Sequence, residues 1–238
     1  MNWEAPKRPL DHTESALVQA VLDETFPIGS KLPGERKLAE MLGVTRPTLR
    51  EALRRLERDG WFTVTHGKAT EVNDYWKDGR MNVLSNLVQH ADSVPPNFVA
   101  NLLQIRADMA PSYTCAAVSR HPHNMVTIFR QGAALPDTTE AFAAFDWQLH
   151  RTLTIASENP IYTLILNGFA DFYERMAQLY FLPASTRSRS RTFYQTMVSL
   201  IEQQDLQQIE TAVRAVMHES IELWNKQAGR PQAEMLTG

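Results

Sequence analysis

The chain has 238 residues, a length that suits one or two domains. Hydrophobic residues make up 43% and charged residues 21%, which excludes a wholly disordered, collagen-like or coiled-coil chain. The net charge of −3 argues by itself against a nucleic-acid binder, and the single cysteine, Cys115, excludes an intrachain disulfide. No run approaches the ~18 uninterrupted apolar residues of a membrane helix, and the opening MNWEAPKRPLDHTE has no apolar secretory core. The expectation is a reduced, cytoplasmic protein with no membrane partner.

The charge is unevenly spread. Lys31 to Thr70 carries nine Lys/Arg against five Asp/Glu, a local +4, so the rest of the chain stands at −7. A basic segment on an acidic body is the footprint of a DNA-reading module joined to something else, or else a solvated charged helix.

The first elements read helix, helix, helix, hairpin. Thr13 is placed to cap a helix running to about Thr25, which Phe26-Pro27-Ile28-Gly29 breaks. A short helix follows from Glu35 to Leu42, with Leu38, Met41 and Leu42 inward and Gly43 at a left-handed cap. Thr45 caps a third helix, Arg46 to Asp59, with Pro47 in its first turn, where a missing N–H costs little. Leu49, Ala52, Leu53 and Leu56 repeat at i, i+3, i+4, i+7, a buried stripe, and Gly60 closes the helix. Two β-prone runs, 61–65 and 69–72, then flank the turn His66-Gly67-Lys68.

Beyond Tyr75 the pattern is helical throughout. Seven helices are expected, near 82–90, 96–119, 121–133, 138–156, 159–182, 184–203 and 205–227, with prolines close to most of the breaks. The chain is therefore expected to be mainly α. Residues 10–75 would form a winged helix-turn-helix with a small hairpin wing, and 76–82 a linker. Residues 83–228 would form an all-α regulatory bundle of about seven helices, and 229–238 a flexible tail.

Two short helices joined by a glycine turn, the second with basic residues at its start, describe a helix-turn-helix. The exposed start of the second helix would enter the major groove. Arg46 and Arg50, at i and i+4, share a face opposite the leucine stripe. Each guanidinium fork can pair with guanine O6 and N7. Thr45 and Thr48 hydroxyls suit phosphates or base edges, and Arg36 can reach groove edge or backbone. His66, Gly67 and Lys68 form a small cationic tip for a minor groove. Arg54, Arg55 and Arg58 read as solvated helix charges.

In the helical half, Val213, Met217, Ser220 and Trp224 share one face of the last helix, apolar bulk beside a hydroxyl. Arg106 follows Leu102, Leu103 and Ile105 as a candidate inward guanidinium. An arginine facing such a stripe suits a ligand with an anionic and an apolar part; core packing plus a surface arginine is the other reading. Asp146 and His150, at i and i+4, with His218 on the last helix, form a partial set for Zn or Ni. Such a metal could activate water. No nucleophile motif, phosphate loop or paired-carboxylate pattern supports an enzyme.

The stretch LPGERKLAEMLGVTRPTLREALRRLERDGWFTVTHGKATEVN resembles the winged helix-turn-helix of the GntR superfamily of bacterial transcription factors. FPIGSKLP, VPPNFVANLLQIR, SENPIYTLILNG and HESIELW are similar to its FadR-type members, in register over nearly the whole chain. The resemblance implies a homodimer on a palindromic double-stranded operator. It implies repression of fatty acid degradation genes, activation of unsaturated fatty acid synthesis genes, and release from DNA by long-chain acyl-CoA. By the same resemblance Arg36, Thr45, Arg46, Thr48, Arg50, His66, Gly67 and Lys68 fall at DNA-contact positions, with Pro47 where the family has a threonine. Arg106, Ser220 and Trp224 match acyl-CoA positions, and Tyr173 and Tyr180 are candidates for lining the acyl tunnel. Val216, Met217 and Ile221 stand where the family has tyrosine, glycine and glycine, so Met217 is expected against the ligand. Related GntR regulators of the FCD type hold a metal and a small carboxylate through one aspartate and three histidines. Asp146, His150 and His218 match three of those positions and Tyr194 stands at the fourth, which leaves a metal reading as the alternative.

Overall fold

A computed structural model describes residues 8–65, 67–89 and 98–228. The chain divides into two units, Met1–Val94 and Pro95–Gly238.

The first unit opens with α1 (Pro9–Leu22), α2 (Glu35–Leu42) and α3 (Arg46–Asp59). Helix α1 begins four residues before the expected cap. Pro9 supplies the helical φ at its first position, and Thr13 is buried one turn in, its hydroxyl donating back to the Pro9 carbonyl at 2.6 Å. Helix α1 also stops short of Thr25, because Glu24 takes φ 62°. Helix α3 has the expected bounds. Thr45 Oγ1 accepts from the Thr48 N–H at 3.3 Å, and Gly43 and Gly60 close α2 and α3 in left-handed geometry. Leu49, Ala52, Leu53 and Leu56 are buried together with Leu17, Val21, Leu38 and Trp61. Each buried leucine contributes roughly 1.5–3 kcal/mol relative to exposure. Met41 does not turn inward; it is 58% exposed.

The hairpin pairs β1 (Phe62–Thr63) with β2 (Glu71–Val72), antiparallel, Phe62 opposite Val72. The segment before α2 adds to it: Lys31 bridges Glu71, and the Leu32 N–H donates to the Thr70 carbonyl at 2.9 Å. The stretch 76–82 is the one expected as a linker. It holds most of α4 (Tyr75–Asp78) and the start of α5 (Met81–Gln89). It is tied back to α3: the Arg80 N–H donates to the Asp59 carbonyl and Asn82 Nδ2 to Asp59 Oδ1, both at 2.9 Å. The ring of Trp61 packs 4.9 Å from that of Tyr75. Gly60 permits this approach, since a Cβ there would lie 2.4 Å from the Asp78 carbonyl oxygen.

Among the described residues the second unit is helical: α6 (Phe98–Arg120), α7 (Pro122–Ala133), α8 (Thr139–Ala156), α9 (Pro160–Asn167), α10 (Ala170–Phe181), α11 (Ala184–Glu202) and α12 (Leu206–Ala228). The expected single helix 159–182 is thus two, broken at Gly168-Phe169, where glycine favours the helix least. Helix α6 packs on α12 and α8, α7 on α11, and α8 on α10. The core between them is aromatic: Tyr113, Phe129, Phe142, Phe181 and Tyr194 are all at most 1% exposed. The proposed tail, 229–238, lies outside the described residues.

Candidate nucleic-acid interface and internal cavity

The cap at Thr45 sets the direction in which α3 leaves the turn. Arg46 and Arg50 then project from its first two turns, both more than half exposed. Arg36, Thr45 and Pro47 are exposed beside them, and Thr48 is half-buried with its hydroxyl 2.8 Å from that of Thr45. Both arginines converge on Glu35, the first residue of α2. Arg50 Nε and Nη2 each lie 2.8 Å from Glu35 Oε2, and Arg46 Nη2 is 3.5 Å from the same oxygen. Gly67 and Lys68 are exposed at the hairpin tip, Gly67 with φ 74°, and His66 lies outside the described residues. The Val64 N–H donates to Glu57 Oε1 at 3.0 Å, which anchors the wing to α3. Arg54 and Arg58 are exposed, while Arg55 bridges Glu14 and Glu51.

The helical unit encloses a cavity of about 70 Å³, walled by α6, α8, α9, α10 and α12. Its lining is mostly apolar, including Leu102, Leu103, Met109, Leu166, Phe169 and Met176. Polar atoms gather on one wall. Arg106 Nη1 donates to the Tyr173 hydroxyl at 2.8 Å and lies 3.5 Å from Asp146 Oδ2. The Tyr173 hydroxyl in turn donates to Asp146 Oδ2. Burial works against the charge on Arg106, but Tyr173 and Asp146 beside it hold its pKa above the ordinary value. Tyr180 donates to Ser220 Oγ at 3.3 Å, and Ser220 donates to the Val216 carbonyl at 2.8 Å. A second, smaller cavity of about 20 Å³ adjoins, and Arg106, Asp146, Tyr180 and Ser220 line both.

Behind this wall His150 is buried, with its Nδ1 2.7 Å from the Tyr113 hydroxyl. Burial pushes the His150 pKa down to about 4, the Arg106 charge adding to the fall and Asp146 opposing it. A neutral imidazole that accepts the tyrosine proton at Nδ1 carries its own proton on Nε2, 3.8 Å from Asp146 Oδ1.

Comparison with known proteins agrees with both halves of this geometry. Residues 10–72 match the model for bacterial regulatory proteins of the gntR family, and residues 73–235 match the FadR C-terminal domain. A fatty acid metabolism regulator protein of Yersinia enterocolitica is 36% identical over 227 residues, covering 95% of each chain. Its counterpart in Yersinia pestis matches to the same extent. The chain belongs to the FadR branch of the GntR family. Like other members of that family it is a DNA-binding transcription regulator and not an enzyme. The solved structure of Lar, described as controlling the Listeria monocytogenes agr system, aligns with TM-score 0.56 at 14% identity. It covers 95% of this chain and 99% of its own, so the two share a fold. No described helix is long and apolar enough to cross a membrane.

Within the FadR-type domain, Arg106, Tyr173, Tyr180, Ser220 and Trp224 all line the larger cavity. Met217 does not. It is 6% exposed and lines the smaller cavity, one helical turn before Ser220. The alternative metal set does not assemble. His218 is exposed on α12, and no group of three or more His, Cys, Asp or Glu side chains comes together among the described residues. Asp146 is instead engaged by Arg106 and Tyr173, so a guanidinium already supplies the positive charge a metal would bring. Tyr194, which the sequence reading set at the fourth ligand position, is buried in the aromatic core with Ser190 beside its hydroxyl.

Sequence reasoning missed the contact of Glu35 with Arg46 and Arg50 and most of the cavity lining. The lining had a signal: Leu102, Arg106, Met109 and Tyr113 recur at i, i+4, i+7, i+11 on α6. Phe169, Tyr173 and Tyr180 continue the pattern on α10 and the residue before it.

Proposed function

We propose that this protein is a homodimeric, cytoplasmic regulator of fatty acid metabolism that leaves its operator when a long-chain acyl-CoA enters the helical domain. Arg46 and Arg50 read base edges in the major groove. Arg36, Thr45 and Thr48 fix the register of α3 through backbone and groove-edge contacts, and His66, Gly67 and Lys68 carry the wing to the minor groove. Two such units on a dimer require a palindrome with half-sites about one helical turn apart. Repression of fatty acid degradation genes and activation of unsaturated fatty acid synthesis genes follow from the same family reading.

The observation that carries the effector is the cavity: an apolar chamber with one polar wall of Arg106, Asp146, Tyr173, Tyr180 and Ser220. An acyl chain suits the apolar lining. A thioester or phosphate group suits donors held on the wall. Trp224 lines the same chamber, and Met217 borders the wall from the adjoining cavity. Coupling between ligand and DNA sites of ~1–3 kcal/mol is enough to shift operator occupancy.

The test is a gel-shift titration on a palindromic operator duplex with acyl-CoAs of graded chain length. Release by long chains and not by short chains or free coenzyme A is expected. Retention of DNA at saturating long-chain acyl-CoA overturns the effector assignment.

A further inference from the structure

Glu35 holds the two arginines that present the groove-facing surface of α3. Its Oε2 accepts from Arg50 Nε at 2.8 Å, lies 2.8 Å from Arg50 Nη2 and faces Arg46 Nη2 at 3.5 Å. Arg46 and Arg50 are one turn apart on one helix, and Glu35 opens the helix before it. All three side chains are at least one-third exposed, so the cluster lies at the surface where DNA would approach.

Two physical consequences follow. One oxygen shared by two guanidiniums keeps both forks side by side, which lowers the ordering cost of presenting them together. The triad also carries a net +1 where two free arginines would carry +2. Binding to random DNA is almost wholly an electrostatic exchange with phosphates, so it responds to that charge directly. Pairing with guanine needs fork geometry as well as charge.

We propose that Glu35 is a specificity-setting, positioning residue for DNA recognition: it orients Arg46 and Arg50 together and suppresses their capture by backbone phosphates. This rests on the reading of Arg46 and Arg50 as base-reading residues. On the operator, guanine acceptors take over the guanidinium protons that Glu35 holds. On random sequence no such acceptor pair is aligned, and the carboxylate opposes the nearest phosphates.

The full-length protein is tested by fluorescence anisotropy on two duplexes of equal length. One is the palindrome that the wild type selects from random-sequence DNA, and the other a scramble of it. Glu35→Gln should bind the scramble about threefold more tightly at moderate salt, with a salt slope steeper by ~0.9. Its affinity for the palindrome should rise less, so that the palindrome-to-scramble ratio falls. Glu35→Asp keeps the charge but withdraws the carboxylate by one methylene. It should keep the wild-type slope and still lose part of the ratio, and it supplies the test should Glu35→Gln fail to fold. An unchanged ratio in either folded variant, or an unchanged slope in Glu35→Gln, overturns the proposal. Arg50→Ala on the same duplexes separates the two levels. Equal loss on both duplexes refutes base reading itself. Selective loss on the palindrome, with a Glu35→Gln ratio like wild type, refutes only the role of Glu35.

Discussion

The Tyr113 hydroxyl lies 2.7 Å from Nδ1 of His150, both side chains buried in the helical unit. The imidazole is held neutral because burial lowers its pKa to about 4. An unfolded histidine titrates near 6.5. Between these values the unfolded chain binds the extra proton, so stability is fully present above about pH 6.5 and is lost as pH falls toward 4. The expected loss from this group is of order 3 kcal/mol. Urea unfolding at pH 7.5, 5.5 and 4.5 checks it. His150→Gln should flatten the dependence in that window; a variant as pH-sensitive as wild type would refute the assignment.

Asp146 and Arg106 are both 16% exposed and share the Tyr173 hydroxyl. Removing one charge leaves the other poorly solvated, so Asp146→Asn should destabilise the protein by about 3–5 kcal/mol. Arg106→Met/Asp146→Asn should recover much of that, because neither charge remains. A double-mutant cycle on thermal unfolding measures the coupling, and strict additivity of the two single changes would show that the pair does not act as one unit.

Gly132 on α7 sits against two aromatic rings. A Cβ there would lie 2.5 Å from Phe145 Cε1 and 2.8 Å from Tyr194 Cδ2. Gly132→Ala gains helix propensity but overpacks, and the net expectation is a loss of about 1–3 kcal/mol. Differential scanning calorimetry reads this as a lowered Tm; an unchanged or raised Tm would mean the rings move aside freely.

At the DNA surface, Arg46→Ala or Arg50→Ala should each cost ~1–3 kcal/mol on the operator and relax sequence preference. Lys68→Ala, at the wing tip, should weaken binding to all duplexes and reduce the salt slope by ~0.9. Anisotropy titrations over a range of salt separate these two behaviours, and a sequence-selective loss in Lys68→Ala would contradict phosphate contact.

The winged unit was largely legible because its determinants are local. Cap, proline, leucine stripe and terminal glycine lie within one short segment, and Thr45, Gly43 and Gly60 act as their chemistry dictates. Where local signals competed, the sequence pattern alone did not decide. Thr13 satisfies its hydroxyl within the helix because Pro9 starts it earlier. Met41 stays out because its place on α2 faces solvent although its type is apolar. Segment 75–82 folds back through Tyr75 on Trp61 and Asn82 on Asp59, contacts that no short window of sequence contains.

By itself the sequence determined the mainly helical class, the basic helix with Arg46 and Arg50 on one face, and the motifs that identify the family. These depend on periodicity, capping chemistry and local charge, all of which are written along the chain. The tertiary structure alone decided which polar groups meet. Asp146 and His150 satisfy a metal spacing on one helix, yet His218 points to solvent and Arg106, forty residues earlier in the chain, supplies the compensating charge. Met217 shares a face with Ser220, yet Ser220 lines both cavities and Met217 only the smaller one, a division that helix packing sets. Glu35 joins Arg46 and Arg50 only because the turn at Gly43 brings α2 back against the start of α3. Side-chain partners chosen through space carry no sequence period, and burial, which sets the charge state of His150, exists only once the helices have packed.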